Sequence, residues 1–212
     1  MISIYQLKPA FQRLLRPLAR TLAHGGATAN AVTLFAMLVS LLLGGCLYVM
    51  GAERRWLFLL VPAWMLVRMA LNAIDGMLAR EFGQKTPLGA YLNELSDVVS
   101  DAALYLPFVW VPPLGWPVIG GIIVLSTISE MTGALGPMIG APRQYDGPMG
   151  KSDRAFLFGA LGLWAGLAQS LPHWMSWVMG VAVPLCLALN IINRIRSGLA
   201  AISKDEPNDT HC

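Results

Sequence analysis

Long apolar runs separated by short polar segments dominate the chain. A run of about 20 apolar residues matches a hydrocarbon core of about 30 Å when it is helical. The pattern therefore predicts an all-α polytopic membrane protein with six transmembrane helices. The predicted spans cover residues 31–50, 56 to about 71, 88 to about 111, 116 to about 139, 155–171 and 174–192.

The segment from Tyr5 to His24 has a different, amphipathic pattern. Its leucines and Phe11 fall near one face, and its arginines and Lys8 fall near the other. This favours a helix that lies in the membrane interface, with a packed cytosolic helix as the alternative. A single membrane domain is expected, with this helix and a linker in 1–30, the six-helix core in 31–193 and a polar tail in 194–212.

Composition supports the membrane prediction, because 56% of the residues are hydrophobic and only 13% are charged. An ordinary soluble domain carries about twice that share of charge. The formal net charge of +3 comes without a basic patch interleaved with aromatic residues, so nucleic-acid binding is not predicted.

The distribution of Lys and Arg predicts the orientation. Only Arg54 and Arg55 fall in connections on one side, whereas the N-terminal helix, the other basic loops and the tail fall on the opposite side. The basic side of a membrane protein faces the cytoplasm. We therefore expect a cytoplasmic (inner) membrane protein with both termini inside.

One polar stretch interrupts the apolar pattern between the second and third spans. Asn72, Asp75, Gly76 and Ala79 are spaced to share one helix face, and a second face follows after a short turn. The turn predicts antiparallel neighbours, with both faces opening toward the cytoplasm. The second face carries Gly89, Asn93, Asp97 and Asp101.

Folding this hairpin near Gln84 sets the depth of each side chain. It brings Asn72 and Asp75 near the depth of Asn93 and Asp97. Arg68 falls near the depth of Asp101, deeper in the membrane. We hypothesise a buried ion pair between Arg68 and Asp101 that braces the floor of the site. Ionisable groups at this depth are costly and usually mark a functional site.

The facing oxygen atoms predict a site for a hard divalent cation such as Mg²⁺. Such an ion polarises a phosphoryl group and holds a leaving phosphate. Gly76, Ala79 and Gly89 keep the helix surfaces clear for a bulky ligand, and Arg80 offers a guanidinium fork to phosphate.

The stretch from Asp75 to Asp97 resembles the signature of the CDP-alcohol phosphatidyltransferases in its spacing throughout. The family opens this pattern with an acid three residues before the Asp-Gly pair and has another at the third acidic position. Asn72 and Asn93 stand at these two places here. The segment from Thr28 to Thr33 also resembles the family's entry to the first span.

The resemblance implies a six-helix membrane transferase of phospholipid biosynthesis that uses CDP-diacylglycerol and an alcohol, and it also implies a homodimer. Asp97 would be the catalytic base, and Mg²⁺ or Mn²⁺ would be held by Asn72, Asp75, Asn93 and Asp97. The residues expected to bind the cytidine diphosphate are Asn30, Gly76, Ala79, Arg80 and Gly89.

The two asparagines leave three outcomes open, because an amide ligates through its carbonyl oxygen without charge. The site holds one ion, or it holds two weakly until the diphosphate adds negative charge, or it is inactive. A non-catalytic relative that binds a CDP-lipid as a regulatory membrane protein is therefore the alternative function. A small transporter is a weaker reading, since no paired broken helices are visible.

Four further polar residues are candidates for the acceptor or for phosphate. Lys151 and Arg154 stand one helical turn apart at the start of the fifth span, and Arg143 belongs to the same basic cluster. Their alternative role is anchoring on the cytoplasmic side. Glu130 lies in the middle of the fourth span, where an acid needs a partner.

Overall fold

The computed structural model describes residues 4–168 and 171–205, without the side chains of residues 4–9 and 204–205. All its regular elements in these ranges are helical. Eight α-helices follow in order: α1 (Ile4–His24), α2 (Ala29–Met50), α3 (Leu60–Glu81), α4 (Pro87–Tyr105), α5 (Trp116–Ala134), α6 (Lys151–Leu167), α7 (Trp174–Trp177) and α8 (Val183–Asp205).

Shorter helical segments extend several of these helices. A 3₁₀ segment leads into α3, others follow α4 and α5, and a π segment joins α7 to α8. Proline explains why α4 stops short of its predicted end, because Pro107 cannot donate to the helical ladder. The bounds of these segments are Arg55–Leu59, Leu106–Trp110, Gly136–Ile139 and Val178–Ala182.

Within the described residues, four helical stretches are long and apolar enough to cross a membrane: Ala29–Met50, Arg55–Glu81, Trp116–Ile139 and Trp174–Ser203. The other two predicted spans correspond to α4 and α6. The helix α4 carries a row of polar side chains, and α6 has only 17 residues. Large apolar side chains such as Leu42 and Leu66 are exposed on the outer surface, as expected for a chain surrounded by lipid.

The helix α2 packs against both α3 and α4, whereas α3 and α4 have little direct backbone contact. The two helices are neighbours through their side chains, since Arg68 of α3 donates to Asp101 of α4, but their backbones do not pack closely. Gly44 allows α2 to approach α4 closely, since a Cβ there would lie 2.3 Å from the carbonyl oxygen of Ala103. Polar side chains meet in the space between α3 and α4.

The apolar core lies at the end of the bundle away from the α3–α4 turn. Phe58, Phe108, Tyr105 and Phe158 are fully buried there, and the rings of Tyr105 and Phe158 stack with centroids 3.7 Å apart. Burial of aromatic side chains supplies much of the packing energy of a core.

The last helix continues past the predicted end of the core at residue 193. The helix α8 runs to Asp205, and Arg194 is buried, with Nη1 donating to the carbonyl oxygen of Ser129. Residues 194–205 of the predicted polar tail therefore continue α8, and Arg194 at their start has buried acceptors. Residues 206–212 of that tail lie outside the described residues.

Candidate functional site

The helices around the polar stretch begin with side-chain caps, which fix where the site residues stand. Thr28 accepts a hydrogen bond from the backbone N–H of Ala31 at the start of α2, and Thr86 accepts one from that of Gly89 at the start of α4. Such caps satisfy backbone groups that a helix start leaves unpaired.

Gln84 ties the α3–α4 turn to the start of α2. Its Oε1 accepts from the backbone N–H of Ala29 at 2.7 Å, and its Nε2 donates to the carbonyl oxygen of Ala27 at 3.3 Å. This places Asn30 beside α4, where a Cβ on Gly89 would lie 2.8 Å from the Asn30 Oδ1. The structure thus brings together two of the predicted nucleotide residues that are far apart in sequence.

Arg80 folds back over its own helix. A Cβ on Gly76 would lie 2.8 Å from Arg80 Nη2, so the missing side chain of Gly76 makes room for this guanidinium. Arg80 itself is exposed, and Ala79 is half-buried beside it. The arrangement leaves a cation on the helix face where a phosphate can reach it.

Asp75 is buried, and Thr33 of α2 donates a hydrogen bond to its Oδ2 at 2.7 Å. Its carboxylate lies within electrostatic range of Asp97 and Lys151. The two acids predicted to share a cation therefore face the same polar space. Thr33 was not among the predicted site residues, although it closes the Thr28–Thr33 segment.

Asp97 of α4 receives polar contacts from two other helices. Asn72 Nδ2 and Arg68 Nη2, both on α3, donate to its Oδ1 at 3.2 and 3.3 Å, and the Lys151 ammonium of α6 contacts its Oδ2. Asn93, one turn earlier on α4, is exposed. The partly buried Asp97 is thus the point where α3, α4 and α6 meet.

One turn deeper, Asp101 is enclosed by two arginines. Arg68 Nη1 donates to its Oδ1, the contact that the depth comparison predicts, and Arg154 Nη2 lies 3.3 Å from its Oδ2. Arg154 also donates to Glu130 at 2.8 Å and to the carbonyl oxygen of Met149 at 3.1 Å, and it is only 1% exposed. It therefore sits in the floor of the site.

Glu130 forms ion pairs with three arginines. Besides Arg154, it lies 3.1 Å from Arg143 Nη2 and 3.4 Å from Arg194 Nη2. Arg143 in turn forms a two-bond fork with Glu94 at 2.6 and 2.7 Å. Burial lowers the pKa of Arg143, but the hydrogen bonds and charge of Glu94 outweigh it and hold that pKa above its ordinary value.

The donor set fits a hard cation only with amide participation. Among the residues described, no three His, Cys, Asp or Glu side chains come together as a metal site. Asp75 and Asp97 supply the two carboxylates, and Asn72 and Asn93 are the neighbouring amides with carbonyl oxygens. Two carboxylates balance the charge of one divalent ion, and oxygen donors suit Mg²⁺ or Mn²⁺.

Comparisons with known proteins cover most of the chain. Residues 27–188 match the CDP-alcohol phosphatidyltransferase family. The inner membrane protein YnbA of Escherichia coli K12 is 46% identical over 201 residues, which are 93% of this chain and 97% of that protein. A phosphatidylinositol phosphate synthase of Mycobacteroides abscessus is 29% identical over 114 residues, 51% of this chain and 47% of that protein.

The fold is similar to that of a solved synthase. Two crystal structures of Mycobacterium tuberculosis phosphatidylinositol phosphate synthase match with TM-scores of 0.68 and 0.70 at 20% and 21% identity. The first has CDP-DAG bound, and the alignment covers 89% of this chain and 95% of that one. The second is in complex with manganese and citrate, and the alignment covers 87% and 88%.

Proposed function

Because the chain belongs to the CDP-alcohol phosphatidyltransferase family, we propose that it transfers a phosphatidyl group from CDP-diacylglycerol to an alcohol and releases CMP. The observation that carries this proposal is that Asn72 on α3 donates to Asp97 on α4 across the polar space, while Asp75, one turn along α3, is close enough to interact electrostatically with Asp97. The synthase of similar fold that has CDP-DAG bound supports the choice of donor. Among the residues that the structure describes, no contact in the site favours the non-catalytic alternative.

The cytidine diphosphate would bind at the end of the bundle where α2 and α4 begin and α3 ends. Asn30 lies against Gly89, and Arg80 lies over Gly76, so these residues offer an amide, a guanidinium and exposed backbone. The small side chain of Ala79 leaves space for the ligand beside Arg80. An Arg fork binds phosphate oxygens through two parallel hydrogen bonds.

A divalent cation would be held by Asp75, Asp97 and the amide oxygens of Asn72 and Asn93. When bound, Mg²⁺ or Mn²⁺ neutralises diphosphate charge and stabilises the leaving phosphate. The manganese complex of the similar synthase supports this cofactor. Thr33 holds the carboxylate of Asp75 toward the space by its hydrogen bond.

Asp97 would accept the proton of the acceptor hydroxyl. The freed oxygen attacks the phosphorus atom next to the diacylglycerol, the bond from that phosphorus to the bridging oxygen breaks, and the electron pair leaves with CMP. Arg68 and Asn72 orient the Asp97 carboxylate through its Oδ1. Catalysis of this kind is mainly positioning and charge neutralisation.

The acceptor would enter beside α6. Lys151 reaches Asp97 and is partly exposed, whereas Arg154 and Glu130 are buried beneath it and Arg143 closes one side. We propose that Lys151 is the member of this group that touches the acceptor, and that the other three position it.

We also propose six membrane crossings, with α4 and α6 as the two polar ones, and α1 in the interface on the cytoplasmic side. This puts both termini and the opening of the site in the cytoplasm. The exposed ion pair between Arg16 of α1 and Glu81 of α3 is consistent with α1 lying beside the end of α3. A homodimer remains a prediction.

The test is release of CMP from CDP-diacylglycerol by the purified full chain with Mn²⁺. The acceptor panel is glycerol, glycerol 3-phosphate, inositol phosphate and serine. At least one acceptor is expected to give CMP together with a new phosphodiester lipid. No release with any of them would contradict the proposal.

Replacing the base is the sharper experiment. Asp97→Asn should lower CMP release by about 10²–10⁴-fold, the range for loss of a general base, while the protein stays folded. The matched control is Asp146→Asn, at an exposed acid in the loop before α6. An Asp97→Asn protein as active as wild type would remove Asp97 from this role.

A further inference from the structure

We propose that the site binds a single divalent ion, and that the ammonium group of Lys151 supplies the second positive charge at Asp97. The inference rests on the proposed function for the existence of a cation site. It goes further by assigning the number of ions and a role for Lys151 in setting that number.

The first support is that both carboxylate oxygens of Asp97 already have partners within the chain. Its Oδ1 accepts from Asn72 and Arg68, and its Oδ2 contacts the Lys151 ammonium. Both carboxylate oxygens therefore already face positive or donor groups supplied by the chain. A carboxylate with this much neutralisation attracts a further cation weakly.

The second support is the absence of charge at Asn72 and Asn93. An amide carbonyl can bind a cation but contributes no negative charge to balance it. Only Asp75 and Asp97 remain as carboxylates next to these amides. With the Lys151 ammonium at Asp97, one divalent ion leaves this group with one excess positive charge, and a second ion would raise that excess to three.

The third support is the charge balance of the whole cluster. Among the described residues, the ion pairs in and below the site join five cations to four carboxylates. This network already carries one excess positive charge before any ion binds, and Asp75 lies outside it, so a second divalent ion would be opposed. Its members are Arg68, Arg143, Lys151, Arg154 and Arg194 with Glu94, Asp97, Asp101 and Glu130.

The fourth support is that the position of Lys151 is fixed by the fold. Lys151 is the first residue of α6, and Asp153 caps this helix by accepting from the backbone N–H of Gly150. Arg154, on the next turn, is held by Asp101 and Glu130. These contacts anchor the start of α6 beside α4, so the ammonium is delivered to Asp97 by packed structure.

The direct test is the number of Mn²⁺ ions bound per chain. The purified full chain in lipid nanodiscs is titrated with Mn²⁺ in the presence of CDP, and free Mn²⁺ is measured by electron paramagnetic resonance. We expect one ion per chain at saturation. Two ions per chain would overturn the proposal, whatever the activity of the protein.

Two sets of variants test the role of Lys151. Lys151→Met removes a positive charge from Asp97 and should tighten Mn²⁺ binding roughly tenfold, as expected for loss of one like charge at a partly screened site. Lys85→Met, in the exposed α3–α4 turn, removes the same charge outside the site and should leave Mn²⁺ affinity unchanged. Equal affinities in wild type and Lys151→Met would overturn the role of Lys151.

The triple variant Asn72→Asp, Asn93→Asp, Lys151→Met should bind two ions per chain, because it restores two carboxylates and removes the resident cation. A folded triple variant, judged by its elution and circular dichroism, that still binds one ion would overturn the charge argument. Should this variant fail to fold, the wild-type count and Lys151→Met still decide.

Measuring CMP release on the same samples separates this inference from the proposed function. One ion per chain without CMP release from any acceptor would support the single-ion inference and contradict the proposed transferase activity. Two ions per chain with CMP release would contradict the single-ion inference and support the transferase activity.

Discussion

At the scale of single residues, Asp97 and Asp101 show how one helical turn changes the role of an acid. Asp97 contacts an ammonium that is itself partly exposed, so this part of the site is open to a substrate. Asp101 lies between the buried guanidinium groups of Arg68 and Arg154. We therefore expect chemistry at the first acid and structural bracing at the second.

Loss of the deeper acid should cost stability. Asp101→Asn leaves two buried guanidinium groups short of negative charge, and breaking a buried ion pair costs about 3–5 kcal/mol. Thermal unfolding in detergent should show a clearly lowered midpoint, with the exposed Asp146→Asn as control. A midpoint equal to wild type would mean that Asp101 does not brace the floor.

The glycine beneath Arg80 should matter for donor binding. Gly76→Ala places a methyl group where the guanidinium now lies, 2.8 Å from Nη2, and the flexible arginine must move away. Loss of one charged hydrogen bond to phosphate is worth about 1.5–3 kcal/mol, so the KM for CDP-diacylglycerol should rise at least about tenfold. Gly121→Ala, which meets nothing within 4 Å, should leave KM unchanged.

At the scale of elements, the helical periodicity was sufficient to predict the two polar faces. The spacing from Asn72 to Ala79 and from Gly89 to Asp101 gives the composition of each face, because the α-helix has a fixed repeat. The periodicity does not predict which helix packs against the two helices that carry these faces. The short turn predicted that α3 and α4 are neighbours, but not that both pack on α2.

The close approach of α2 to α4 gives a matched pair of adjacent glycines. Gly44→Ala would place its Cβ 2.3 Å from the carbonyl oxygen of Ala103, and backbone cannot yield as a side chain can. Overpacking of this kind costs about 1–3 kcal/mol. Gly45→Ala meets nothing within 4 Å and should be neutral or stabilising, as alanine favours helix.

Thermal unfolding of the two variants side by side is the measurement. Gly44→Ala should unfold at a lower temperature than wild type and Gly45→Ala should not. Equal midpoints for the pair would mean that α2 and α4 are not packed as closely as described.

At the scale of the whole molecule, the contacts that complete the site are those between distant parts of the sequence. Thr33 reaches Asp75, and Arg194 reaches Glu130 across 64 positions. No local pattern marks these partners, because a buried acid specifies only that some donor is needed. The sequence predicted Glu130 to need a partner, but its cations become evident only after α5, α6 and α8 are assembled.

The orientation of the whole chain is testable by labelling. In a protein whose native cysteines are replaced by serine, Lys85→Cys should react with a membrane-impermeant maleimide in inverted inner-membrane vesicles. Glu53→Cys, in the loop between α2 and α3, should react in spheroplasts instead. Both positions reacting from the same side would contradict the proposed topology.

The cluster around Glu130 also constrains how this sequence can change over generations. Its charged residues come from different helices and, for Arg143, from the loop before α6, so the loss of one alone leaves an unmatched charge. Paired exchanges, such as a joint replacement of Arg143 and Glu94 by apolar residues, keep the net charge where single ones do not. Descendants of this chain should therefore differ at these sites by coordinated substitutions, inherited together.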